Sequence, residues 1–345
     1  MKKEVLFFIL LIFNITPITY SQGTWTQKAE YGGGIKYSSV SFSIGNKGYI
    51  GPGNKSTGTT PFYYKKDLWE YDPIADTWTQ KANFPGPARY GAVGFSIGKK
   101  GYVGTGSDDY GNHMQDFWAW NQKSNIWKQI ADASPRCYAV GFSIKNKGYI
   151  GTGIGGRGTG PLGVNLNDFW EYDTILNQWS PKADFPGGVR YYATGFSIDT
   201  KGYIGTGSTG SISGLCYKDF WEYDPSMDKW TQKADFGGGP RVFAIGFSIL
   251  NHGFMGTGYD EVDFYSDLND FWQYDPPLDK WTKKADLTGV RFAAAGFAIG
   301  CKGYIGTGMS FNPQAYEEDF WEYSDPLLCG QLPPKPGFKI NKETI

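Results

Sequence analysis

One basic residue recurs six times along the chain, about 50 residues apart, each time just before a run of small residues. An Arg or Lys side chain can bind a carboxylate, a sulfate or an acidic sugar or peptide, so six on one surface would attract anions. A structural role is also open, because each has an Asp further along its unit with which it could pair. We favour the pairing and keep the anion site as the alternative. The six residues are Lys36, Arg89, Arg136, Arg190, Arg241 and Arg291.

Three phrases repeat with the same period and indicate the elements that hold these residues. The motif D-[LF]-W-x-[YW] starts at Asp67, Asp116, Asp168, Asp219, Asp270 and Asp319. A "WTQKA"-like phrase has its Trp at Trp25, Trp78, Trp127, Trp179, Trp230 and Trp281. A "KGYIG"-like phrase starts at Lys47, Lys100, Lys147, Lys201, His252 and Lys302. Each unit divides into four short strands, and a period of about 50 residues is typical of a propeller blade.

Residue size predicts how the strands are ordered. The first strand of each unit is rich in small residues, as in "YGAVGFSI", which suits six innermost strands crowded around a central channel. The Trp and Tyr residues of the third and fourth strands fit further out, where neighbouring blades diverge. We therefore interpret the twelve repeated Trp residues as packing between blades rather than as sugar-stacking platforms.

With "YDPIADTW" turns, a Gly-rich end to the second strand and six units, residues 23–330 resemble the kelch-repeat β-propeller family. The resemblance implies an all-β, six-bladed propeller with four antiparallel strands per blade. One departure is visible, since kelch repeats usually end the second strand with a Gly pair. This chain has "GTG" in five units and "GPG" in the first.

The last unit lacks its fourth strand, and the segment "GTWTQKA" at residues 23–29 is a fourth strand without a unit. We predict that this N-terminal strand completes the last blade, because a missing outer strand would leave a long unpaired edge. Residues 1–21 read as a signal peptide with cleavage before Gln22, so we expect a secreted or periplasmic protein without a stable membrane anchor. The predicted organisation is leader 1–21, propeller 22–330 and tail 331–345.

Four cysteines allow two disulfides in an exported protein, with three possible pairings. Cys301 lies in a turn of the last unit and Cys329 follows its third strand, so both belong on one face and can pair. Cys137 and Cys216 fall on the opposite face in adjacent units, where a bond and two separate thiols are both open. Sequence alone cannot decide, because disulfide geometry is demanding.

The loops between the second and third strands vary in length and content, whereas the other turns are short and repetitive. Variable loops on a rigid repeated scaffold usually carry the binding site. We therefore name Tyr110, Tyr265, Glu261 and Glu317 as ligand-contact candidates beside the six basic residues. An acidic cluster of Asp260, Glu261, Asp263 and Asp267 could hold a divalent cation, but a solvated loop is the favoured interpretation, so we expect no metal and no cofactor.

Composition excludes several functions. A net charge of −1 gives no general attraction for nucleic acid or membrane. Galactose oxidase, a copper enzyme with a kelch-like fold, needs a copper site with two His ligands. The two His residues here, His113 and His252, fall on opposite faces, which argues against copper chemistry. We predict a monomeric binding module for a glycan or protein ligand, possibly anionic. The alternative is a sugar-modifying enzyme similar to the bacterial sialic acid mutarotase, which is also a six-bladed kelch propeller.

Overall fold

The computed structural model describes residues 22–55, 64–108, 110–156, 163–210, 216–260 and 266–330. They form six four-stranded antiparallel sheets, which confirms the all-β prediction. In each sheet we number the strands one to four in hydrogen-bonded order, beginning with the strand rich in small residues. The described helices include none long and apolar enough to cross a membrane.

The six sheets follow one another along the chain. The first consists of Ser41–Ile44, Lys47–Ile50, Leu68–Asp72 and Thr77–Lys81, and the second of Val93–Ile97, Lys100–Gly104, Phe117–Asn121 and Ile126–Ile130. The third consists of Val140–Ile144, Lys147–Gly151, Phe169–Asp173 and Gln178–Lys182, and the fourth of Thr194–Ile198, Lys201–Gly205, Phe220–Asp224 and Lys229–Lys233. The fifth consists of Ile245–Ile249, His252–Gly256, Phe271–Asp275 and Lys280–Lys283, and the sixth of Ala295–Ile299, Lys302–Gly306, Phe320–Ser324 and Thr24–Lys28.

Short ladders extend several sheets beyond strand two, on the side of the variable loops. Gly53–Asn54 pairs with Tyr64–Lys65, Tyr259–Asp260 with Ser266–Asp267, and Met309–Phe311 with Gln314–Tyr316. Arg136–Cys137, Ile154–Gly155 and Val164–Asn165 form a small three-stranded sheet. A single turn of helix, Pro326–Cys329, follows the sixth sheet, and its N-cap Asp325 accepts a hydrogen bond from the Leu327 amide.

The turn between strands three and four follows from its sequence. In the first sheet the carboxylate of Asp72 accepts hydrogen bonds from the backbone amides of Ile74 and Ala75, at 3.0 and 3.5 Å. Asp favours such turns because its short side chain satisfies the amides that the strand ladder leaves open. Asp76, just before strand four, takes the left-handed conformation with φ of 53°, which Asp tolerates better than most residues.

Strand one of each sheet contacts strand one of the sheets before and after it, and the succession returns to its start. The innermost strands meet in the order first, second, third, fourth, fifth, sixth and again first. The six innermost strands and the residues just before them line three successive cavities of about 130, 210 and 180 Å³, and consecutive cavities share lining residues. We call these three cavities together the central channel.

A cycle of tryptophan hydrogen bonds links the same sheets through their fourth strands. The indole N–H of each strand-four Trp donates to the carbonyl of an Ala just after strand four of the preceding sheet, as Trp78 does to Ala29 at 3.1 Å. Trp25 closes the cycle by donating to Ala285 at 2.9 Å. The remaining bonds are Trp127 to Ala82, Trp179 to Ala131, Trp230 to Ala183 and Trp281 to Ala234. This arrangement matches the interpretation of these residues as packing between units.

Two repeated sequence phrases meet between neighbouring sheets. The Gly of each "KGY" phrase faces the Phe of strand one in the preceding sheet. A Cβ built at Gly101 would lie 2.3 Å from the ring of Phe42, and one at Gly148 would lie 2.4 Å from Phe95. Glycine is required there because any side chain would overlap the ring.

The sixth sheet is built from both ends of the described chain. Thr24–Lys28 pairs antiparallel with Phe320–Ser324, in the register Trp25 opposite Tyr323. The N-terminal strand therefore completes the last sheet, as predicted. A disulfide joins Cys301 to Cys329 in the same sheet, with Cα atoms 5.1 Å apart.

Candidate functional site

One end of the central channel is ringed by six equivalent residues, one from each sheet, two or three residues before strand one. All six have left-handed backbone conformations, with φ between 48° and 59°. The amide of each donates to the carbonyl of its counterpart in the neighbouring sheet, over 2.8 to 3.3 Å, and the six bonds form a closed cycle. We call this ring the channel mouth: Ser38, Gly91, Tyr138, Tyr192, Phe243 and Ala293.

The left-handed conformation explains how the cycle can close. It costs a residue other than Gly about 1–2 kcal/mol, and most of all a bulky one. Here it turns each amide toward the next sheet, and the hydrogen bonds gained offset the strain. The cycle also uses every backbone N–H and C=O of the mouth residues in bonding between sheets. Recognition at the mouth therefore depends on side chains.

The side chains of the mouth divide it into two unequal halves. Tyr138, Tyr192 and Phe243 come from three consecutive sheets and pack together, with ring centroids 4.3 Å apart for the first two and 3.6 Å for the last two. Ser38, Gly91 and Ala293 form the other half and carry almost no side chain. Burial is the main cause that raises the pKa values of Tyr138 and Tyr192. Both phenols therefore stay protonated and neutral.

Further rings and a hydroxyl surround this aromatic half. Tyr90 lies 5.6 Å from Tyr138, and Tyr191 lies 4.4 Å from Tyr192, between ring centroids. The Ser39 hydroxyl lines the cavity and is buried without a hydrogen-bond partner among the described residues. A buried hydroxyl in this state is ready to bond with an incoming polar group.

The six recurrent basic residues lie beside the mouth, but their side chains are at most 1% exposed. Each pairs with the Asp that opens the D-[LF]-W-x-[YW] motif, at N–O distances between 2.5 and 2.7 Å. In the fourth sheet Arg190 also donates to the Thr206 carbonyl at 2.9 Å and stacks on Phe185, with the guanidinium carbon 4.7 Å from the ring centroid. The pairs are Lys36–Asp67, Arg89–Asp116, Arg136–Asp168, Arg190–Asp219, Arg241–Asp270 and Arg291–Asp319.

The anion-attracting ring proposed as an alternative is therefore corrected. A buried guanidinium whose charge is matched by a carboxylate has little left to offer a ligand at the surface. The same Asp also accepts from a strand-three indole, as Asp219 does from Trp221 at 2.7 Å. Basic residue, Asp and Trp thus form one repeated structural unit.

The loop residues named as ligand contacts differ in their exposure and surroundings. Tyr110 is 86% exposed at a loop tip, and its backbone amide donates to the Asp108 carboxylate. Glu317 is half-buried, and burial raises its pKa while Arg291 opposes the rise. Tyr265 and Glu261 lie outside the described residues.

The metal alternative at the acidic loop finds no support in the part that the structure describes. Asp267 accepts hydrogen bonds from the backbone amides of Phe311 and Asn312, so one of its carboxylate oxygens holds a neighbouring loop. No group of three or more metal-ligating side chains occurs among the described residues. Asp263 lies outside them.

The second possible disulfide is not formed. Cys137 and Cys216 both keep their thiols. Cys137 lies in a ladder opposite Ile154, whereas Cys216 bridges to Ser208, so each is held by a different sheet extension. Burial raises the pKa of the Cys137 thiol to about 12, so this thiol stays protonated at neutral pH.

Sequence reasoning missed the mouth residues Tyr138, Tyr192 and Phe243. The signal was present, because the second position after each basic residue is aromatic in three consecutive units and small in the other three. Period and strand pattern do not show that these positions take left-handed backbone and converge. No protein-family model matches this chain.

Proposed function

We propose that the six sheets are the blades of a β-propeller of the kelch type. The closed succession of inner strands, the cycle at the channel mouth and the cycle of Trp–Ala bonds all support a circular arrangement of six units. The leader-like sequence at residues 1–21 supports export, so we place the protein in the periplasm or outside the cell.

Deleting residues 22–29 tests the circular closure. The deletion removes the fourth strand of the sixth sheet and the Trp25–Ala285 bond that closes the outer cycle. We expect the deletion to abolish cooperative unfolding or to lower the midpoint by more than about 10 °C. Removing residues 335–345 takes no strand from the described sheets and should shift the midpoint by far less. Equal shifts would contradict the closure.

We further propose that the protein is a binding module whose ligand is the neutral end of a glycan, held at the channel mouth. The observation that carries the proposal is the asymmetry of the mouth, with aromatic rings in three consecutive sheets and small residues in the other three. A structural ring alone needs no such asymmetry, because Ser38, Gly91 and Ala293 complete the same hydrogen-bond cycle.

The chemistry of the mouth favours a sugar over an anion. Aromatic rings pack against the C–H faces of a sugar, while the phenols and the Ser39 hydroxyl can bond to its hydroxyl groups. The nearby basic charges are already matched by Asp, so nothing at the mouth selects for negative charge. The cavity of about 130 Å³ admits part of one sugar ring, which suits a chain end resting on the mouth.

A screen of neutral and acidic oligosaccharides tests this proposal with matched variants. Tyr192→Ser and Phe243→Ala introduce residues that other sheets carry at the same position, so the fold should tolerate them. We expect at least a tenfold loss of neutral glycan binding in both variants, while the exposed Tyr110→Ala control binds like the wild type. Equal binding by all three variants, or binding of acidic glycans alone, would overturn the proposal. A protein ligand captured independently of Tyr192 would do the same.

The mutarotase-type alternative has one supporting observation, the raised pKa of Glu317. Sugar ring opening needs an acid and a base together, so Glu317 would need a second proton-transfer group beside it. Anomer exchange of sialic acid, followed by NMR, decides the matter. If the protein accelerates anomer exchange and Glu317→Gln removes the acceleration, the result favours a mutarotase-type enzyme. An unchanged exchange rate favours the binding module.

A further inference from the structure

A cavity of about 390 Å³ opens between the second and third sheets, away from the channel mouth. Its walls include Tyr102, Ala119 and Lys128 from one row of the second sheet, Lys100 from the next row, and Tyr172 from the third sheet. A space of this size is within the range of small-molecule sites. The five other sheets show what normally occupies it.

In four of those sheets a Glu of strand three occupies the corresponding place. The Tyr of strand two donates its hydroxyl hydrogen bond to that Glu, as Tyr203 does to Glu222 and Tyr149 to Glu171, both at 2.7 Å. Tyr49 and Glu70, and Tyr304 and Glu322, form the same bond. A lysine next to each Glu matches its charge, at N–O distances between 2.6 and 4.0 Å.

The fifth sheet lacks both partners of this bond. Phe254 stands in place of the Tyr, and Gln273 stands opposite it in place of the Glu. Loss of the carboxylate is accompanied there by loss of the hydroxyl, so no buried polar group is left over. The second sheet breaks this rule, because Tyr102 remains while Ala119 replaces the Glu.

Tyr102 is 4% exposed as a whole residue, its hydroxyl opens onto the cavity, and that hydroxyl makes no hydrogen bond with any residue that the structure describes. Burial alone raises its pKa, so the hydroxyl keeps its proton and remains a donor. A hydroxyl that opens onto a cavity without an acceptor from the protein is available to donate to a ligand there, in place of water.

The charged residues around the cavity of the second sheet also differ from those of the other sheets. Lys128 stands directly opposite Ala119, at a position where the neighbouring sheets carry Thr79 or Ser180. Lys100 stands opposite Asn121, whereas its counterpart Lys147 pairs with Asp173. The second sheet has therefore lost two carboxylates, retained the lysine at position 100 and gained a lysine at position 128. Neither Lys100 nor Lys128 has an ion-pair partner among the described residues.

We propose that this cavity binds a small molecule through its carboxylate group, which occupies the place of the missing Glu side chain. The carboxylate accepts the Tyr102 hydrogen bond and pairs with Lys100 and Lys128. The rest of the molecule lies against Ala119, Ile130 and the ring of Tyr172. We call this cavity the flank site. It is separate from the channel mouth and does not depend on the function proposed there.

Matched pairs of probes test the flank site by calorimetric titration of the full chain. Benzoate and acetate carry the carboxylate, benzamide and acetamide have the same shape without the charge, and inorganic phosphate represents other oxyanions. We expect benzoate to bind with a dissociation constant on the order of 1 mM or below, and benzamide at least tenfold more weakly. Binding of phosphate without any carboxylate would overturn the assignment, as would the absence of carboxylate binding.

Variants taken from the other sheets locate the binding. Ala119→Glu supplies the carboxylate internally and should reduce benzoate affinity at least tenfold. Lys128→Thr introduces the residue of the first sheet and should weaken binding severalfold. Lys229→Thr removes an exposed lysine of the fourth sheet and should leave affinity unchanged. The flank site is refuted if Ala119→Glu, shown to be folded by its unfolding transition, binds benzoate as the wild type does.

Discussion

The second and fourth sheets share the same strand order and corresponding registers but differ on one flank. Near the channel both hold the same unit, Arg89 with Asp116 in one and Arg190 with Asp219 in the other. On the flank the fourth sheet pairs Tyr203 with Glu222, whereas the second leaves Tyr102 beside an open cavity.

The difference separates scaffold from site. A contact present in all six sheets, such as the Arg–Asp or Lys–Asp pair, is what each unit needs in order to fold. The second sheet is the one that loses the Glu but keeps the Tyr, and it adds a lysine opposite the vacated position, which calls for another cause. A repeat protein thus contains its own comparison, since the other sheets show either the complete Tyr–Glu pair or the loss of both partners, and the second sheet shows neither.

The largest effect is expected where the two sheets agree. Asp116→Asn and Asp219→Asn each remove the charge that compensates a fully buried guanidinium. Each substitution should lower the free energy of unfolding by about 3 kcal/mol, because an unpaired buried charge is costly. Urea unfolding measures both. A difference above about 1 kcal/mol between the two variants would break the equivalence of the two sheets near the channel.

On the flank, substitutions in the two sheets are expected to change the free energy of unfolding in opposite directions. Glu222→Ala takes the acceptor from Tyr203 and should lower the free energy of unfolding by about 1–2 kcal/mol. Ala119→Glu supplies an acceptor to Tyr102 and should raise it by roughly 1 kcal/mol. The same urea experiment compares them. Destabilisation by both substitutions would show that the second sheet has repacked around Ala119.

Removing the hydroxyl of Tyr203 or of Tyr102 is expected to give a smaller difference in stability between the two sheets. Tyr203→Phe breaks a bond to a carboxylate and should cost about 1 kcal/mol, with Glu222 left partly hydrated. Tyr102→Phe loses no hydrogen bond to a described residue and should change stability by less than about 0.5 kcal/mol without ligand. Thermal unfolding of both variants, with and without benzoate, provides the measurement. If Tyr102→Phe is as destabilising as Tyr203→Phe, the Tyr102 hydroxyl has a partner.

The smallest expected effect is on how the stability of the protein falls at acidic pH. The hydrogen bond from Lys201, followed by that from Ser226, lowers the pKa of Asp224 to about 2, below its value of about 3.9 in the unfolded chain. Because the folded pKa is the lower one, this stabilisation is present above about pH 4 and is lost as pH falls toward 2. Asp224→Asn should reduce the difference in stability between pH 6 and pH 3, and Asn121→Asp should increase it. Unfolding curves at the two pH values test both signs.

Much of the fold could be predicted from the repeats. The count of phrases gave six four-stranded units, and the stray "GTWTQKA" indicated the strand that completes the last one. Position in that composite unit also brought Cys301 and Cys329 together, and the structure joins them. These features depend on strand alternation and chain order, which the sequence displays directly.

The sites were harder to predict, for two different reasons. The basic residues were visible, but whether Arg190 faces a ligand or Asp219 depends on a side-chain path that spacing does not determine. The flank site had a signal in "DFWAWN", where Ala119 replaces the repeated Glu, and this signal gains meaning only beside Tyr102 on the neighbouring strand. Residues 102 and 119 become neighbours through sheet register, not through sequence distance.

The sequence by itself determined the number of units, the strand order and the partner of the last edge, because each follows from local periodicity and from the need to pair backbone groups. Tertiary structure alone decided that six basic side chains are neutralised, that the mouth residues take left-handed backbone, and that one flank is left open. The physical reason is that charge matching, burial and cavity formation depend on atoms from different strands and sheets. Their distances are set only when all six sheets pack together.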